Sequence, residues 1–367
     1  MRLLVVNAGS SSLKLSALDE GDALIAERTL ARWDGDDRPI GEFAAGAGAI
    51  DAVGHRVVHG GLAFTGPAVV DDAVLAQLGE LVALAPLHQP RAIGAIGAAR
   101  RVLPGATHVA CFDTAFHTTL PPAAHVYALP AAWRERWPLR RYGFHGLSHS
   151  YASRRVAELA GGAVDDLRLV TCHLGAGASL CAVRGGRSVD TTMGFTPLEG
   201  LVMATRSGSV DPGLLLWLQE HVGMPAQELA ATLEHRAGLL GLAGSADMQV
   251  VLARAQAGDQ PASLALAVYL HRLRSGIAAM TAAMGGLDVL VFTGGVGEHA
   301  PAVRAAACQG LAFLGVHLDP LANEDEPDSG KPDRDISADG APVRTLVIEA
   351  REDLQIAHET RQVLAGA

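Results

Sequence analysis

Lysines are scarce in this sequence, and one of them lies where a phosphate-binding side chain would be useful. Of the 29 basic residues, only Lys14 and Lys331 are lysines. Lys14 closes the small-residue stretch NAGSSSLK, where a compact ammonium on a flexible stem fits better than an arginine fork. Lys331 lies in the polar segment 323–339, which predicts a solvated surface loop. We therefore expect Lys14 to take part in chemistry.

Three small-residue turns could bind phosphate groups. They are residues 7–14 (NAGSSSLK), 173–178 (HLGAGA) and 294–298 (GGVGE), and each follows an apolar run. Such turns present backbone N–H groups to an anion without obstruction by side chains. A single turn of this kind more simply connects two strands, but three turns and a rare lysine favour polyphosphate binding. Other nucleotide motifs do not match, because the Walker A spacing, the third glycine of the dinucleotide motif and the protein-kinase signatures HRD and DFG are missing.

Short apolar runs must position these turns, and their pattern predicts an α/β fold in two similar halves. Runs 3–6 and 13–18 predict a strand–turn–strand unit, and runs 169–172 and 179–183 predict a second one. A third run, 289–292, leads into GGVGE and a helix-like segment 300–311. Helical patterns such as 151–159 and 262–284 lie between these units. Paired phosphate-binding hairpins in two halves are the plan of the sugar kinase, Hsp70 and actin superfamily.

Composition excludes several classes of protein. A length of 367 residues suggests about two domains, and 49% hydrophobic with 19% charged residues supports a packed core. The apolar runs are too short for a bilayer span or a signal peptide, so we expect a cytoplasmic protein. Four cysteines without CxxC or regular spacing argue against a disulfide scaffold or a zinc ribbon. A net charge of −10 argues against nucleic-acid or membrane partners.

Eight motifs together resemble the acetate kinases. They occur in that family's order and span nearly the whole chain: NAGSSSLK (7–14), GHRVVHGG (54–61), APLH (85–88), FDTAFH (112–117), RYGFHG (141–146), HLGAGAS (173–179), TRSG (205–208) and GVGE (295–298). The resemblance implies reversible transfer of a phosphoryl group from ATP to acetate, giving acetyl phosphate and ADP. Mg²⁺ is the implied cofactor, with Mn²⁺ as a substitute, and a homodimer is the implied assembly.

The resemblance also implies the fold and its domains. We expect two domains of the actin-like, ribonuclease H-like ATPase fold facing each other across a nucleotide cleft. Residues 1–117 would form the first domain, with the C-terminal segment 354–367 packing back on it. Residues 118–353 would form the second, nucleotide-binding domain.

Catalytic and acceptor-binding roles follow from the same resemblance. His145 and Arg206 match residues that stabilise the transferring phosphoryl group, and Asp113 matches an acidic residue described as a proton acceptor. A carboxylic acid has a pKa of about 4–5 and is already ionised at pH 7, so ordering Mg²⁺ and its waters is the better role for this aspartate. The residues that match the acceptor site are Arg56 for the carboxylate, His88, and an acyl pocket of Val58, Leu87, Phe144 and Pro197.

Metal and nucleotide positions complete the implied site. Asn7 and Glu352 match the magnesium residues. His145 and His149 are four residues apart, but a glycine between them and the lack of a third ligand argue against zinc. Phosphates would contact Lys14, Ser10, Ser12, His173, Leu174, Gly175, Ala176 and Gly177. The adenosine side would contact Asp247, Met248, Gln249, Gly295, Val296, Gly297, Glu298 and His299.

Several positions depart from the family pattern and leave other functions open. The departures are Ala176, Gln89, His299 and Arg351 for Asn, Ser209 for Asp, and Gln249 for Arg. A propionate or other short-chain acyl kinase is one alternative, because one methylene discriminates by only about 1–3 kcal/mol. A nucleotide-binding regulator without catalysis is another. A sugar kinase would need an aspartate base and a polar pocket, and a chaperone-like ATPase would need a peptide-binding domain.

Overall fold

The chain forms two compact units, each built around a six-stranded mixed sheet. The computed structural model describes residues 1–9, 12–160, 167–325 and 333–366. Ser10 and Lys331, about which the sequence makes predictions, lie outside these ranges. The strands are β1 Leu3–Ala8, β2 Leu13–Leu18, β3 Leu24–Leu30, β4 Ala52–Val57, β5 Ala68–Val69, β6 Thr107–Phe112, β7 Arg168–Leu174, β8 Ala178–Arg184, β9 Arg187–Thr191, β10 Val289–Thr293, β11 Arg334–Asp335 and β12 Arg344–Val347.

Helices cover the sheets and connect the strands. They are α1 Arg38–Ala47, α2 Asp72–Glu80, α3 Gln89–Val102, α4 Pro122–His125, α5 Ala131–Arg136, α6 Gly146–Leu159, α7 Pro212–His221, α8 Ala226–His235, α9 Gly238–Ala243, α10 Met248–Gln256, α11 Gln260–Met284, α12 Gly294–His299, α13 Pro301–Gln309, α14 Pro320–Glu324 and α15 Glu352–Ala365. Short 3₁₀ turns occur at Leu81–Leu84, Ala115–Thr119 and Ala312–Leu314. No helix of the described ranges is long and apolar enough to cross a membrane.

The first unit comprises Met1–Thr118, Phe144–Tyr151 and Arg351–Ala367. Its sheet has the order β3-β2-β1-β4-β6-β5, in which β1, β4 and β6 are parallel. Side chains alternate along β1, so Leu4 and Val6 pack with residues of α1 and α3, while Leu3 and Val5 pack with residues of α15. Both faces of β1 are therefore buried. Because β1, β4 and β6 are parallel, their carboxyl ends share one edge, and this is the edge at which α/β sheets bind ligands.

The second unit comprises Thr119–Gly143 and Ala152–Ala350. Its sheet has the order β11-β12-β10-β7-β8-β9, with β12, β10 and β7 parallel and β7–β8–β9 antiparallel. The predicted strand–turn–strand plan is present in both units, as β1–β2 and as β7–β8. The stretch GGVGE was expected to form a turn, but it lies in helix α12. Gly294 begins this helix with a positive φ of 78°, which lets the chain turn directly from β10 into the helix.

The unit boundaries differ from the predicted domains at Phe144–Tyr151 and, by a few residues, at Thr118 and Arg351–Asp353, which also belong to the first unit. Residues 118–353 were expected to form one domain, whereas Phe144–Tyr151 belongs to the first unit. The reason is local, because the Gly146 N–H donates a hydrogen bond to the Asp113 carbonyl at 2.8 Å. Leu147 also packs in the core beneath β1 and β6. The first unit therefore carries His145 as well as Asp113.

Candidate active site

Four polar side chains meet at the carboxyl edge of the first sheet. Asn7 lies near the end of β1, Arg56 near the end of β4 and Asp113 directly after β6, and Glu352 begins α15. Arg56 donates twice to the Asp113 carboxylate, from Nε at 3.1 Å and from Nη2 at 2.7 Å. Its Nη1 donates to Asn7 Oδ1 at 3.3 Å, and its Nε lies 3.7 Å from Glu352 Oε2. Asn7 Nδ2 closes the cluster by donating to Glu352 Oε2 at 3.2 Å.

Charge and burial set the protonation of this cluster. Burial works to lower the pKa of Arg56, but the charges of Asp113 and Glu352 outweigh it and raise that pKa above its ordinary value. Burial raises the pKa of Asp113; Arg56 opposes the rise, and Glu352 adds to it. Two carboxylates thus share one guanidinium in a shielded place. A metal cation would be attracted to the same two carboxylates.

The donor atoms of the cluster fit a magnesium ion. Carboxylate and amide oxygens from Asn7, Asp113 and Glu352 are the hard ligands that Mg²⁺ prefers. Within the described residues, no group of three or more His, Cys, Asp or Glu side chains is arranged to hold a metal. Mg²⁺ does not require such a cage, since it is commonly bound by one or two carboxylates together with substrate phosphates and waters.

Lys14 and His145 extend this site within the first unit. Lys14 is exposed on β2 and pairs in register with Asn7 of β1, so both side chains lie on the same face of the sheet. His145 has a positive φ of 56°, which is unusual for a residue with a side chain and frequent at functional sites. The next residue, Gly146, approaches the Asp113 backbone so closely that any side chain there would collide with it. This contact keeps His145 next to Asp113 in the fold.

The predicted acceptor residues of the first unit differ in exposure. Val58 and Phe144 are buried, and the Phe144 ring meets the His59 ring edge-on at 5.6 Å between centroids. Leu87 is exposed, and His88 immediately precedes α3. The predicted pocket residue Pro197 belongs to the second unit. The predicted acceptor residues of the first unit therefore include both buried and exposed side chains.

Arg206 is anchored within the second unit by a backbone carbonyl. Its Nη1 donates to the Pro197 carbonyl at 2.8 Å, which is the only hydrogen bond of this side chain among the described residues. Burial lowers the pKa of Arg206, although the charge of Glu234 opposes the shift. The guanidinium is still a cation at neutral pH, because an arginine titrates far above it. It retains N–H groups that could donate to an anionic ligand.

A cavity of about 370 Å³ lies in the second unit. Eight of the predicted nucleotide residues line it: Gly175, Ala176, Asp247, Met248, Gln249, Gly295, Val296 and His299. Sequence reasoning missed five further lining residues: Ala204, Leu239, Ala246, Tyr269 and Ala300. Ala246 and Ala300 flank predicted residues and could have been included on that ground. Leu239 and Tyr269 come from α9 and α11, and no local motif marks them.

Other predicted nucleotide residues do not line this cavity. They are Leu174, Gly177, Gly297, Glu298 and His173, together with Lys14 and Ser12 of the first unit. Glu298 connects the start of α12 to the segment before α15, because its Oε1 accepts hydrogen bonds from the backbone N–H of Gly294 at 2.7 Å and of Ala350 at 3.0 Å. Ser12 shapes the first turn, since its carbonyl accepts from the Gly9 N–H at 2.8 Å.

Comparison with known proteins decides the family. The model of the acetokinase family matches residues 42–358. The chain is 47% identical to the acetate kinase of Leifsonia xyli subsp. xyli over 99% of both chains. The chain belongs to the acetokinase family. It is therefore a kinase whose phosphoryl acceptor is a carboxyl group.

Solved acetokinase structures share the same fold. The crystal structure of the Porphyromonas gingivalis acetate kinase has a TM-score of 0.90 and 34% identity, covering 99% of each chain. A propionate kinase from Francisella tularensis subsp. tularensis SCHU S4 has a TM-score of 0.90 and 33% identity, covering 98% of each chain. The predicted actin-like ATPase fold class is confirmed.

Proposed function

We propose that this acetokinase catalyses reversible, Mg²⁺-dependent transfer of the γ-phosphoryl group of ATP to acetate, giving acetyl phosphate and ADP by direct in-line transfer. The observation that carries the proposal is the cluster of Asn7, Arg56, Asp113 and Glu352 at the carboxyl edge of the first sheet. It combines hard oxygen donors for a cation with a planar guanidinium for a carboxylate. A protein catalyses phosphoryl transfer mainly by positioning the reactants and by placing positive charge near the transferring group.

Arg56 is the residue proposed to bind the acetate carboxylate. Its Nε and Nη2 face Asp113 and its Nη1 donates to Asn7, which leaves one N–H of Nη1 and one of Nη2 for a second carboxylate. Asp113 holds this fork in one orientation, so little of its freedom has to be lost when acetate binds. Val58, Leu87, His88, Phe144 and Pro197 complete the proposed acceptor pocket, in which the apolar members face the methyl group.

Charge stabilisation is the proposed task of His145 and Arg206. Both would donate hydrogen bonds to the transferring phosphoryl group, whose charge is spread over three oxygens. Asn7 and Glu352, with Asp113, are the proposed magnesium residues, and the bound ion would supply positive charge to the phosphates. The acetate is already ionised at neutral pH, so no residue has to remove a proton from it.

The cavity of the second unit is the proposed adenosine site. Its volume and its mostly apolar lining suit a purine nucleoside, and Asp247, Gln249 and His299 offer polar groups at the wall. The phosphates would then be held by Lys14, Ser10, Ser12 and the small-residue turn from His173 to Gly177. Gly297 and Glu298 act by shaping the segment that carries Gly295 and His299.

Propionate is the second candidate acceptor. The favouring observation is that the Francisella tularensis propionate kinase matches the chain with the same TM-score as the Porphyromonas gingivalis acetate kinase. The departures at Ala176, Gln249 and His299 keep a third function open, that of a nucleotide-binding regulator with weak catalysis. Assay of the acceptor decides among the three.

A cytoplasmic homodimer is the proposed assembly. Helix α7 has no buried residue, and Leu214, Leu216 and Trp217 are exposed on it together with the neighbouring Val222. Adjacent large apolar side chains on one exposed helix are typical of a protein interface. The same surface on a second copy would cover them, as a two-fold interface requires.

The proposed reaction is tested by trapping the product as a hydroxamate. Purified protein with ATP and Mg²⁺ is given acetate, propionate, butyrate or glucose, and acyl phosphate is measured. We expect the strongest signal with acetate and a loss of at least about 100-fold in the Arg206→Ala variant. Arg236→Ala is the matched control, since Arg236 is exposed and its side chain donates to Thr232.

Each result of this assay has one meaning. A stronger signal with propionate would identify the second candidate. No signal with any acid, from folded protein that still binds ATP, would favour the regulator and refute the kinase proposal. Glucose serves as the negative control, because a sugar phosphate has no acyl group and forms no hydroxamate.

A further inference from the structure

Tyr127 and Glu199 lie at the segment that anchors Arg206. We propose that both are positioning residues for Arg206 and act through residues 194–199, termed the Pro197 loop. The inference rests on the proposed function, which assigns Arg206 to the transferring phosphoryl group. Neither residue belongs to a motif that the sequence singled out.

The side chain of Arg206 takes its direction from the Pro197 loop. Its backbone is fixed separately, because the Arg206 carbonyl accepts from the Met203 N–H at 3.1 Å. The neighbouring Thr205 carbonyl accepts from the Ala237 N–H at 3.0 Å. An arginine side chain has several rotatable bonds, and its one hydrogen bond here ends on the Pro197 carbonyl at 2.8 Å. A shift of this carbonyl would therefore move the guanidinium while leaving the Arg206 backbone in place.

The Tyr127 hydroxyl ties the two ends of the loop together. It accepts a hydrogen bond from the Phe195 N–H at 2.9 Å and donates one to Glu199 Oε2 at 2.6 Å. A phenolic hydroxyl can do both at once, whereas phenylalanine can do neither. Pro197 lies midway between these two attachment points. The position of its carbonyl consequently depends on the hydroxyl of Tyr127.

Arg141 fixes the other side of the Glu199 carboxylate. Its Nη2 donates to Glu199 Oε1 at 2.7 Å, and its Nη1 donates to the carbonyls of Thr192 at 3.1 Å and Met193 at 3.0 Å. The carboxylate is therefore held between a hydroxyl and a guanidinium by charge-assisted hydrogen bonds. Gly194 packs so closely on this arrangement that a Cβ there would collide with Glu199 and Tyr127. The first residue of the loop, Gly194, is therefore in close contact with the side chain of its last residue, Glu199.

A purely structural role for these contacts predicts different kinetics from a positioning role. Structural residues change the amount of folded enzyme, and their effects multiply with those of any catalytic residue. Residues that act through Arg206 lose their effect once the Arg206 side chain is removed, because coupled residues are not additive. A double-mutant cycle separates the two cases.

The experiment compares Tyr127→Phe and Glu199→Gln, each alone and combined with Arg206→Ala, using radiolabelled acetate to measure low rates. Each single substitution should lower kcat about 10- to 100-fold, since small misplacements of a catalytic group cost this much. The KM for ATP and the thermal unfolding midpoint should change little. In the Arg206→Ala background, the same substitutions should change kcat by less than about twofold.

Tyr142→Phe is the matched control. It also removes a phenolic hydroxyl from the second unit; this hydroxyl donates to the Pro138 carbonyl, and the substitution keeps the ring that packs against Phe195 of the Pro197 loop. Its kcat should stay near that of the unaltered enzyme. Glu199→Gln keeps the inference testable if Tyr127→Phe does not fold.

The outcomes distinguish this inference from the proposed function. If the unaltered enzyme forms no acyl phosphate, both are refuted. If Arg206→Ala abolishes activity while Tyr127→Phe and Glu199→Gln remain fully active, only the positioning role is refuted. Equal losses with and without the Arg206 side chain would likewise refute it.

Discussion

Replacing Arg56 by methionine should destabilise the first unit and make its stability depend more strongly on Mg²⁺. The variant keeps an unbranched side chain but removes a charge and three hydrogen bonds, two to Asp113 and one to Asn7. The Arg56 side chain is 16% exposed and that of Asp113 is 1% exposed, so the ion pair is shielded from water. Removing one partner of a buried ion pair costs about 3–5 kcal/mol. Because Arg56 keeps some exposure, we expect a loss near the lower limit, about 3 kcal/mol.

Magnesium should restore part of this loss. Without the guanidinium, Asp113 and Glu352 lose the cation that they share. A ligand present at about ten times its Kd adds about 1.4 kcal/mol to the free energy of unfolding. Urea unfolding of the Arg56→Met variant with and without MgCl₂ measures both quantities.

Two comparisons make this prediction refutable. Arg101→Met removes an exposed arginine that pairs with Asp37 at 3.0 Å, and it should cost at most about 1 kcal/mol and respond to Mg²⁺ no more than the unaltered protein does. Adding Glu352→Gln to Arg56→Met should abolish the magnesium response. Equal losses in the two arginine variants, or a response that survives Glu352→Gln, would refute the reasoning.

Three further predictions concern other parts of the chain. Burial lowers the pKa of His55 well below its ordinary 6.5, and burial also lowers that of His108, which lies 2.9 Å away. The unfolded chain therefore binds more protons, so the free energy of unfolding falls as the pH drops below 6.5. His55→Gln should reduce that slope by about 1.4 kcal/mol per pH unit in urea titrations, and an unchanged slope would contradict the assignment. Leu216→Glu with Trp217→Glu should halve the molar mass in light scattering with full activity per chain; an unchanged mass would exclude α7 as the interface. Gln249→Arg should lower the KM for ATP about threefold by adding a guanidinium to the cavity wall, and a raised KM would contradict this.

Local patterns were enough to predict the two strand–turn–strand units. The apolar runs around NAGSSSLK and HLGAGAS form β1–β2 and β7–β8 as expected, because alternation and small-residue turns act over a few residues. The stretch GGVGE was assigned wrongly to a turn. Gly294 at positive φ and the bond from its N–H to the Glu298 carboxylate let a short helix begin directly after β10. Glycine content alone does not distinguish these two conformations.

The residues of the proposed site were predictable from the sequence, but the hydrogen bonds between them were not. The motifs indicated Arg56 and Asp113 as separate residues with separate roles, but they did not predict that one holds the other through two hydrogen bonds. The positioning residues Tyr127 and Glu199 were missed, since they are 72 positions apart and belong to no motif. Such contacts depend on where the chain returns in space.

The sequence by itself determined the family, the fold class and the identities of the proposed site residues, because these reside in short motifs and local hydrophobic patterns. Only the tertiary structure decided which of those residues touch. The bond between Asn7 and Glu352 spans 345 positions and forms because α15 packs beneath β1. Contacts over such separations are set by the packing of whole elements, and no local pattern encodes them.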